Sequence, residues 1–544
     1  MKIVVAEKIS PSAIELLRQD PSWTIVTHDQ IKGNLADYIV DADALIVRSA
    51  VQADAALLDK PNKIRVIGRA GIGVDNIDLE AATRKGIAVM NTPGANAVAV
   101  AEHTFAVALS LARYICRANQ LMHQGKWEKK SLQGTELRGK VMGVIGLGRI
   151  GMEVAKRARA FEMKVAGHDP FVAPEVARDA GIILGSLDNV LSTADYVSLH
   201  LALTPQTARL INAETLLKMK KGSHLINCAR GELVDETALA ESLKSGHLAG
   251  AALDVFSHEP LKDSPLIGID NVILTPHIAG STNEAQDAVG YQIAAQVREY
   301  LSRGVIQNAV NVPSVSYEEY VEMQPYIQLA ERLGAFLGQT SGGGLQEISI
   351  QYAGPIANWK TTLLRNAAVK GVLNVTLAEP ANLVNSAAIA QTRGIRVREN
   401  ANPKHSGGGA ASIITMSLGF GGTEHVAKGS VLHGDSPRLL QVDGIDIEAP
   451  LERNLLYLRN EDVPGVIGRI GTLLGEQKIN IANFSLGREG EAAFKARTGG
   501  SDKTTSTSPC QALAVVHVDE IVPENVLQQL RKLPAVLEAR AVHL

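Results

Sequence analysis

Short apolar runs alternate with amphipathic segments along the first hundred residues, and the two periods name the elements. "KIVVAE" predicts a strand. "SPSAIELLRQD" spaces its apolar side chains three and four apart and predicts a helix, with Ser10 as N-cap and Pro11 at the first helical position. Further strand-like runs follow at "WTIVTHD", "DALIVRSA", "IRVIGRAG" and "IAVMNTP". Strands separated by helices predict a parallel sheet covered on both faces. From 97 to 115, "AVAVAEHTFAVALSLARYI" is apolar nearly all round, the pattern of a buried helix.

A second alternating series starts at "VMGVIGLGRIG" and continues through "KVAGHDP", "DYVSLHLALT", "HLINCARG", "GAALDVF" and "NVILTPHIAG". In "HLINCARG" the strand is expected over Leu225 to Ala229, with Arg230 at its carboxyl end. "STNEAQDAVGYQIAAQVREYL" follows as a long helix that opens on a capping box, Ser281-x-x-Glu284. "GVIQNAVNVPSV" then returns the chain to the first unit. The expected organisation is α/β, with two doubly wound parallel-sheet units facing each other across a cleft. Residues 1–97 with 286–313 form a flavodoxin-like substrate unit, and 98–285 a Rossmann unit. Residues 318–450, with glycine clusters at Gly342 to Gly344 and Gly407 to Gly409, predict a separate mixed α/β domain. Residues 453–544 run in the order βαββαβ of a small ferredoxin-like module, interrupted by a polar insertion near 488–510.

Length supports that division, since 544 residues exceed what one core organises. Aromatics are only 4%, so Ala, Val, Ile and Leu carry the packing. A formal net charge of -3 offers no electrostatic case for nucleic acid or an anionic membrane. Three separated cysteines argue against disulfides or a zinc site and suit a reducing compartment. Glu7 and Lys8 break the opening apolar run, so no signal peptide is expected, and no apolar run approaches a membrane span; a cytoplasmic protein is expected.

Candidate chemistry begins with Gly146-x-Gly148-x-x-Gly151, set between a strand and a helix. There Gly146 permits a tight turn, Gly148 lets backbone approach a pyrophosphate, and Gly151 lets helix pack on strand. The N–H groups of Arg149 and Ile150 at the helix start would meet the diphosphate. Asp169, 18 residues after Gly151, ends the next strand, where a carboxylate accepts from both ribose hydroxyls and repels a 2′-phosphate, favouring NAD over NADP. Arg230, Glu259 and His277 follow successive strands of the same series. Singly they would be a capping arginine, a solvated loop glutamate and a structural histidine. Together they supply what oxidation of a 2-hydroxy acid needs. Histidine, with an ordinary pKa of about 6.5, takes the hydroxyl proton. A carboxylate orients its other nitrogen, and arginine holds the substrate acid with a planar fork.

The motifs "GLGRIG", "INCARGELVDE", "ALDVFSHEP" and "PHIAGST" together resemble the D-2-hydroxyacid dehydrogenase family. "VRSA", "GRAGIGVDNIDLEAATRKGIAVMNTPGANAVAVAEH" and "GKWEKKSLQGTELRGK" are more particularly similar to its D-3-phosphoglycerate dehydrogenase branch, over nearly all of 1–313. The tail resembles the long form of that branch, with an intervening domain and a C-terminal ACT domain. The resemblance implies NAD-dependent oxidation of D-3-phosphoglycerate at the head of serine biosynthesis, with His277 as acid/base, Glu259 its partner and Arg230 the acid binder. It implies cofactor contacts from Ile72, Leu201, Cys228, Asp254 and Gly280 besides Arg149, Ile150 and Asp169. For substrate it implies Arg48, Arg69 and Asn96, with Lys129 in place of an arginine that in some relatives reaches the neighbouring subunit, and so a homodimer or homotetramer. Asp462, Pro464, Gly465 and Asn480 become candidate contacts for serine as regulator. Two other readings are a glyoxylate or hydroxypyruvate reductase and an NADH-responsive co-repressor.

Overall fold

The computed structural model describes residues 1–313, 315, 317–375, 377, 381–403, 412–491, 494 and 509–544. The opening runs pair as β1 (Lys2–Val5), β2 (Thr24–Val26), β3 (Ala44–Val47), β4 (Val66–Arg69) and β5 (Ala88–Met90), all parallel, in the order β2-β1-β3-β4-β5. Every residue of β3 is buried, which is why it shows no polar alternation. The Pro11–Arg18 helix starts after Ser10 as expected, but the Ser10 hydroxyl makes no capping bond and lies 3.1 Å from Ser12 Oγ instead. The Asn283–Arg303 helix crosses β4, and a Cβ on Gly68 would come within 2.8 Å of Ile293 and Val297, so glycine sets that spacing. The chain then runs along β5, where Val310 N donates to Val89 O at 2.8 Å and Asn311 Oδ1 accepts from Val89 N at 2.9 Å.

The second series forms β6 (Val141–Ile145), β7 (Lys164–His168), β8 (Ile183–Leu184), β9 (Tyr196–Leu199), β10 (His224–Asn227), β11 (Gly250–Leu253) and β12 (Val272–Leu274). Their order is β12-β11-β10-β9-β6-β7-β8, again all parallel. Strand order reverses between β6 and β9, which opens a crevice at their carboxyl ends. Two sequence expectations shift here. β10 stops at Asn227 rather than Ala229, because Asn227 Oδ1 accepts from Ala229 N at 3.1 Å and its Nδ2 donates to Arg230 O at 2.8 Å, an Asx turn that closes the strand. The capping box at Ser281 and Glu284 does not form. Ser281 N donates to Ile278 O at 2.8 Å within the preceding turn, and Thr282 caps the helix by accepting from Ala285 N at 3.1 Å.

The Ala97–Arg113 helix packs into the second sheet and ends at Tyr114, whose φ of 51° breaks the run before 115. Among the described residues no single helix is long and apolar enough to cross a membrane.

Beyond 313 a mixed sheet combines β13 (Glu347–Ala353), β14 (Arg396–Asn402), β15 (Ile413–Phe420), β16 (Thr423–Leu432), β17 (Ser436–Val442) and β18 (Ile445–Pro450) in the order β14-β13-β15-β16-β17-β18. Of these strands β13 and β14 pair in parallel and the rest antiparallel. The Tyr317–Thr340 helix lies on this sheet. Gly407 to Gly409 lie outside the described residues. A final antiparallel sheet takes β19 (Asn454–Glu461), β20 (Ile481–Arg488), β21 (Gln511–Val518) and β22 (Val536–His543) in the order β20-β21-β19-β22. The insertion expected at 488–510 falls mainly on 492, 493 and 495–508, outside the described residues.

β19 is buried on both faces: Leu456 and Leu458 face the Val466–Glu476 and Glu524–Arg531 helices, while Leu455 and Tyr457 face the other way. The second face belongs to one apolar core that runs unbroken from Ile3 and Val66 through Ile293 and Val297 to Phe336, Ile348 and Tyr457. The seven-stranded sheet keeps separate cores.

Candidate active site

The glycine turn after β6 has the three properties its sequence suggested. Gly146 sits at φ +93°, a left-handed conformation natural to glycine, and a Cβ there would strike His200 O at 2.4 Å. A Cβ on Gly151 would lie 2.0 Å from Gly146 O, so helix and turn touch. At Gly148 a Cβ would meet nothing within 4 Å, which leaves that backbone open to an incoming group. Gly148 is also the N-cap of the Arg149–Ala160 helix and supplies no side-chain acceptor for its first N–H groups. The Arg149 side chain itself folds back to donate to Pro93 O. Asp169 closes one side: its Oδ2 accepts from Leu147 N at 2.8 Å and its Oδ1 from Phe171 N at 2.8 Å, fixing the carboxylate while each oxygen keeps further capacity. Leu201 packs its side chain beside Gly146. This open, uncapped cradle with an aimed carboxylate fits a dinucleotide.

Loops after β10, β11 and β12 converge beside it. His277 Nδ1 lies 2.8 Å from Glu259 Oε2, and Glu259 Oε1 accepts from Phe256 N at 3.0 Å. The backbone of Phe256 in turn presses on Gly231, where a Cβ would come within 1.9 Å, so the loops carrying Arg230 and Glu259 are in contact. The carboxylate makes Nδ1 the donor and leaves Nε2 as the ring's proton acceptor. His277 is 53% exposed and Glu259 37%, and pairs so open contribute about 0–1 kcal/mol to folding. Their alignment is therefore not explained by stability.

His277 holds φ +53°, an uncommon conformation for a side-chain-bearing residue, and Asp254 maintains it. The Asp254 carbonyl accepts from His277 N at 2.8 Å. Its carboxylate accepts from Ile278 N at 2.9 Å, Ala279 N at 2.8 Å and Thr275 Oγ1 at 2.6 Å. His103 Nε2 approaches Thr275 Oγ1 at 3.2 Å. Thr275 and His103 carry no motif of their own, so nothing in the chain marked them out. The buried Cys228 thiol is pushed up to about 12, first by burial and then by Asp254, which keeps it protonated.

Facing this set are loops of the five-stranded sheet. Arg69, at the end of β4, is largely buried and lowered to about 10, first by burial and then by the charge of Arg230. Its Nε has no partner. Arg48 is the third charge of the group, and Glu7 braces its loop by accepting from the N–H of Arg48 at 2.7 Å, Ala50 at 3.1 Å and Val51 at 3.1 Å. Arg230 reaches across to Asp75, Nε to Oδ2 at 3.2 Å. Asn96 borders Gly280, and its Oδ1 is buried without a partner. The Ile72 carbonyl accepts from Asn91 Nδ2 at 2.6 Å. Lys129 lies apart, on an exposed turn at Lys129–Leu132.

The four candidate regulatory residues divide. Asp462, Pro464 and Gly465 precede the Val466–Glu476 helix and Asn480 follows it. At about 1.5 Å per residue the helix separates them by roughly 16 Å, too far for one amino acid to touch both within one module. Asp462 pairs with Arg488 at 3.4 Å, and Asn480 donates to Asp519 at 2.6 Å.

Residues 105–279 match the NAD-binding domain of the D-isomer-specific 2-hydroxyacid dehydrogenases, and 322–443 match the intervening domain of D-3-phosphoglycerate dehydrogenase. A D-3-phosphoglycerate dehydrogenase of Methanocaldococcus jannaschii is 38% identical over 545 residues, covering 100% of both chains. The chain belongs to the D-3-phosphoglycerate dehydrogenase family. The Bacillus subtilis member is 35% identical over 100% of this chain and 99% of its own. Like the family, the chain is an NAD-dependent oxidoreductase. Among solved structures, the TT0316 protein from Thermus thermophilus is 35% identical with a TM-score of 0.52, over 57% of this chain and 100% of that one. D-lactate dehydrogenase from Aquifex aeolicus, complexed with NAD and lactic acid, is 30% identical with a TM-score of 0.50, over 58% and 100%.

Proposed function

We propose that this chain oxidises D-3-phosphoglycerate to 3-phosphohydroxypyruvate, the opening step of serine biosynthesis. Residues 1–97 with 286–313 form its substrate lobe, 98–285 its nucleotide lobe, and 318–450 and 453–544 its regulatory domains. The observation that carries this reading is the 2.8 Å contact between His277 and Glu259, with Arg230 on the neighbouring loop and Arg48 and Arg69 opposite. NAD, held by the Gly146–Gly151 turn and Asp169, supplies the hydride acceptor. His277 Nε2 accepts the hydroxyl proton as the C–H bond breaks, and Glu259 stabilises the imidazolium through Nδ1. Arg230 binds the substrate carboxylate and draws charge from the reacting oxygen. Arg48 and Arg69 take the phosphate, with Asn96 positioning the substrate between the lobes. An anionic three-carbon acid with two charged ends matches guanidinium groups on both sides of the cleft.

Initial rates with NAD test this directly. The expected kcat/KM for 3-phosphoglycerate far exceeds that for unphosphorylated glycerate, and equal values would refute the phosphate role. Serine, as regulator, would join the 462–465 loop of one copy to Asn480 of another, which requires a homo-oligomer. A calorimetric titration without serine-dependent heat would remove that part of the proposal. We place the reaction in the cytoplasm, where fractionation with cytoplasmic markers tests it.

A further inference from the structure

Arg230 does not stand free in the cleft. Its Nε donates to Asp75 Oδ2 at 3.2 Å, and Nη1 donates to Ala229 O at 2.7 Å. Guanidinium carries five N–H donors, so two engaged leave three for a ligand. The two residues lie 155 positions apart and belong to opposite lobes. Gly73 makes their approach possible: a Cβ there would stand 1.8 Å from Arg230 Nη2 and 2.7 Å from Asp75 Oδ2.

Charge explains why an acid belongs here. Arg48, Arg69 and Arg230 crowd one region, and Arg69 already feels the repulsion of the other two. Glu7 is close, but both its oxygens accept from backbone N–H groups of the loop at 48–51. Among the described residues, Asp75 is thus the carboxylate that engages a guanidinium of this group. At 66% exposure it contributes little to folding, and what it fixes is direction.

We infer that Asp75 is a positioning residue: from the substrate lobe it holds Arg230 Nε across the cleft, so that the remaining N–H groups point at the substrate carboxylate. This rests on the reading of Arg230 as the anchor for that carboxylate. Asp75 takes the Nε donor and leaves N–H groups of Nη1 and Nη2 for the acid, so the two anions bind together rather than in exchange.

The test is a double-mutant cycle on the full-length enzyme with 3-phosphoglycerate and NAD. Asp75→Ala is expected to raise KM for the acid by about tenfold, the scale of one charge-assisted hydrogen bond, with a smaller fall in kcat and unchanged NADH affinity. Lysine has no Nε donor in that place, so in an Arg230→Lys background Asp75→Ala should change KM no further. An equal rise in both backgrounds would overturn the inference, because Asp75 would then act without Arg230. If Arg230→Lys raises KM and Asp75→Ala does not, the inference fails and the anchor survives. If Arg230→Lys itself leaves KM unmoved, the reading of Arg230 fails and takes the inference with it. Asp75→Asn, which keeps the shape, serves the same comparison should the alanine variant fold poorly.

Discussion

Two glycine loops border the cleft, and they are built in opposite ways. Gly146–Gly151 follows β6 and runs straight into a helix whose first N–H groups are uncapped; at Gly148 the space a side chain would fill is empty. Gly71–Gly73 follows β4, and no helix begins before Leu79. Its spaces are already occupied: a Cβ on Gly71 would overlap Arg69 Nη1 at 1.6 Å, and one on Gly73 would overlap Arg230. One loop leaves its own backbone open. The other is packed against guanidinium groups. The same residue type in similar strand-end positions thus serves a neutral donor array in one lobe and a charged one in the other.

The largest effect separates chemistry from both loops. His277→Ala should lower kcat about 10²–10⁴-fold while NADH and acid binding persist, as expected for loss of a general base. A matching loss of NADH affinity, read by fluorescence titration, would make His277 part of the binding scaffold instead. Next come the loops themselves. Gly73→Ala should raise KM for the acid by about 10–100-fold, the scale of displacing a charged hydrogen-bond donor, and leave NADH binding alone. Gly148→Ala should do the reverse, weakening NADH without moving the thermal midpoint, since its Cβ meets no protein atom. Both variants losing both ligands would erase the distinction.

A smaller effect is expected at Asp169→Ala: NAD binding about tenfold weaker, by loss of hydrogen bonds to a charged acceptor, with less discrimination against NADP. Unchanged cofactor preference in steady-state rates would count against the ribose contact. The smallest concerns pH. His200, whose carbonyl walls Gly146, is pushed down to about 3 by burial. The unfolded chain takes up a proton near pH 6.5 that the folded one refuses until about 3. Stability is therefore intact above 6.5 and falls as pH drops from 6.5 towards 3. His200→Gln should flatten that slope in denaturant unfolding at successive pH values, and an unaltered slope would assign acid sensitivity elsewhere.

What could be read from the chain was whatever repeats locally. Alternating runs placed the sheets, and the strand–turn–helix setting pointed to the tight turn at Gly146 and the close helix contact at Gly151. His277 and Glu259 were legible because each follows a strand of one series, and parallel sheets gather such loops. Asp75 was not, since an acidic residue in a glycine-rich turn looks like solvated surface until Arg230 arrives from the other lobe. Strand and helix ends slipped where a side chain intervened: Asn227 closed β10 early, and Thr282 took the cap from Ser281. Asn480 and the 462–465 loop were grouped by motif, although a whole helix stands between them.

The unbroken apolar seam from β4 to β19 means that the first lobe has no finished surface on that side. Amputating the chain behind its return segment would strip cover from Val305, Ile306 and Val312, which share a cluster with Tyr320 and Met323. The stump would turn an oily flank to water. The second lobe, closed around its own interior, would hardly register the cut.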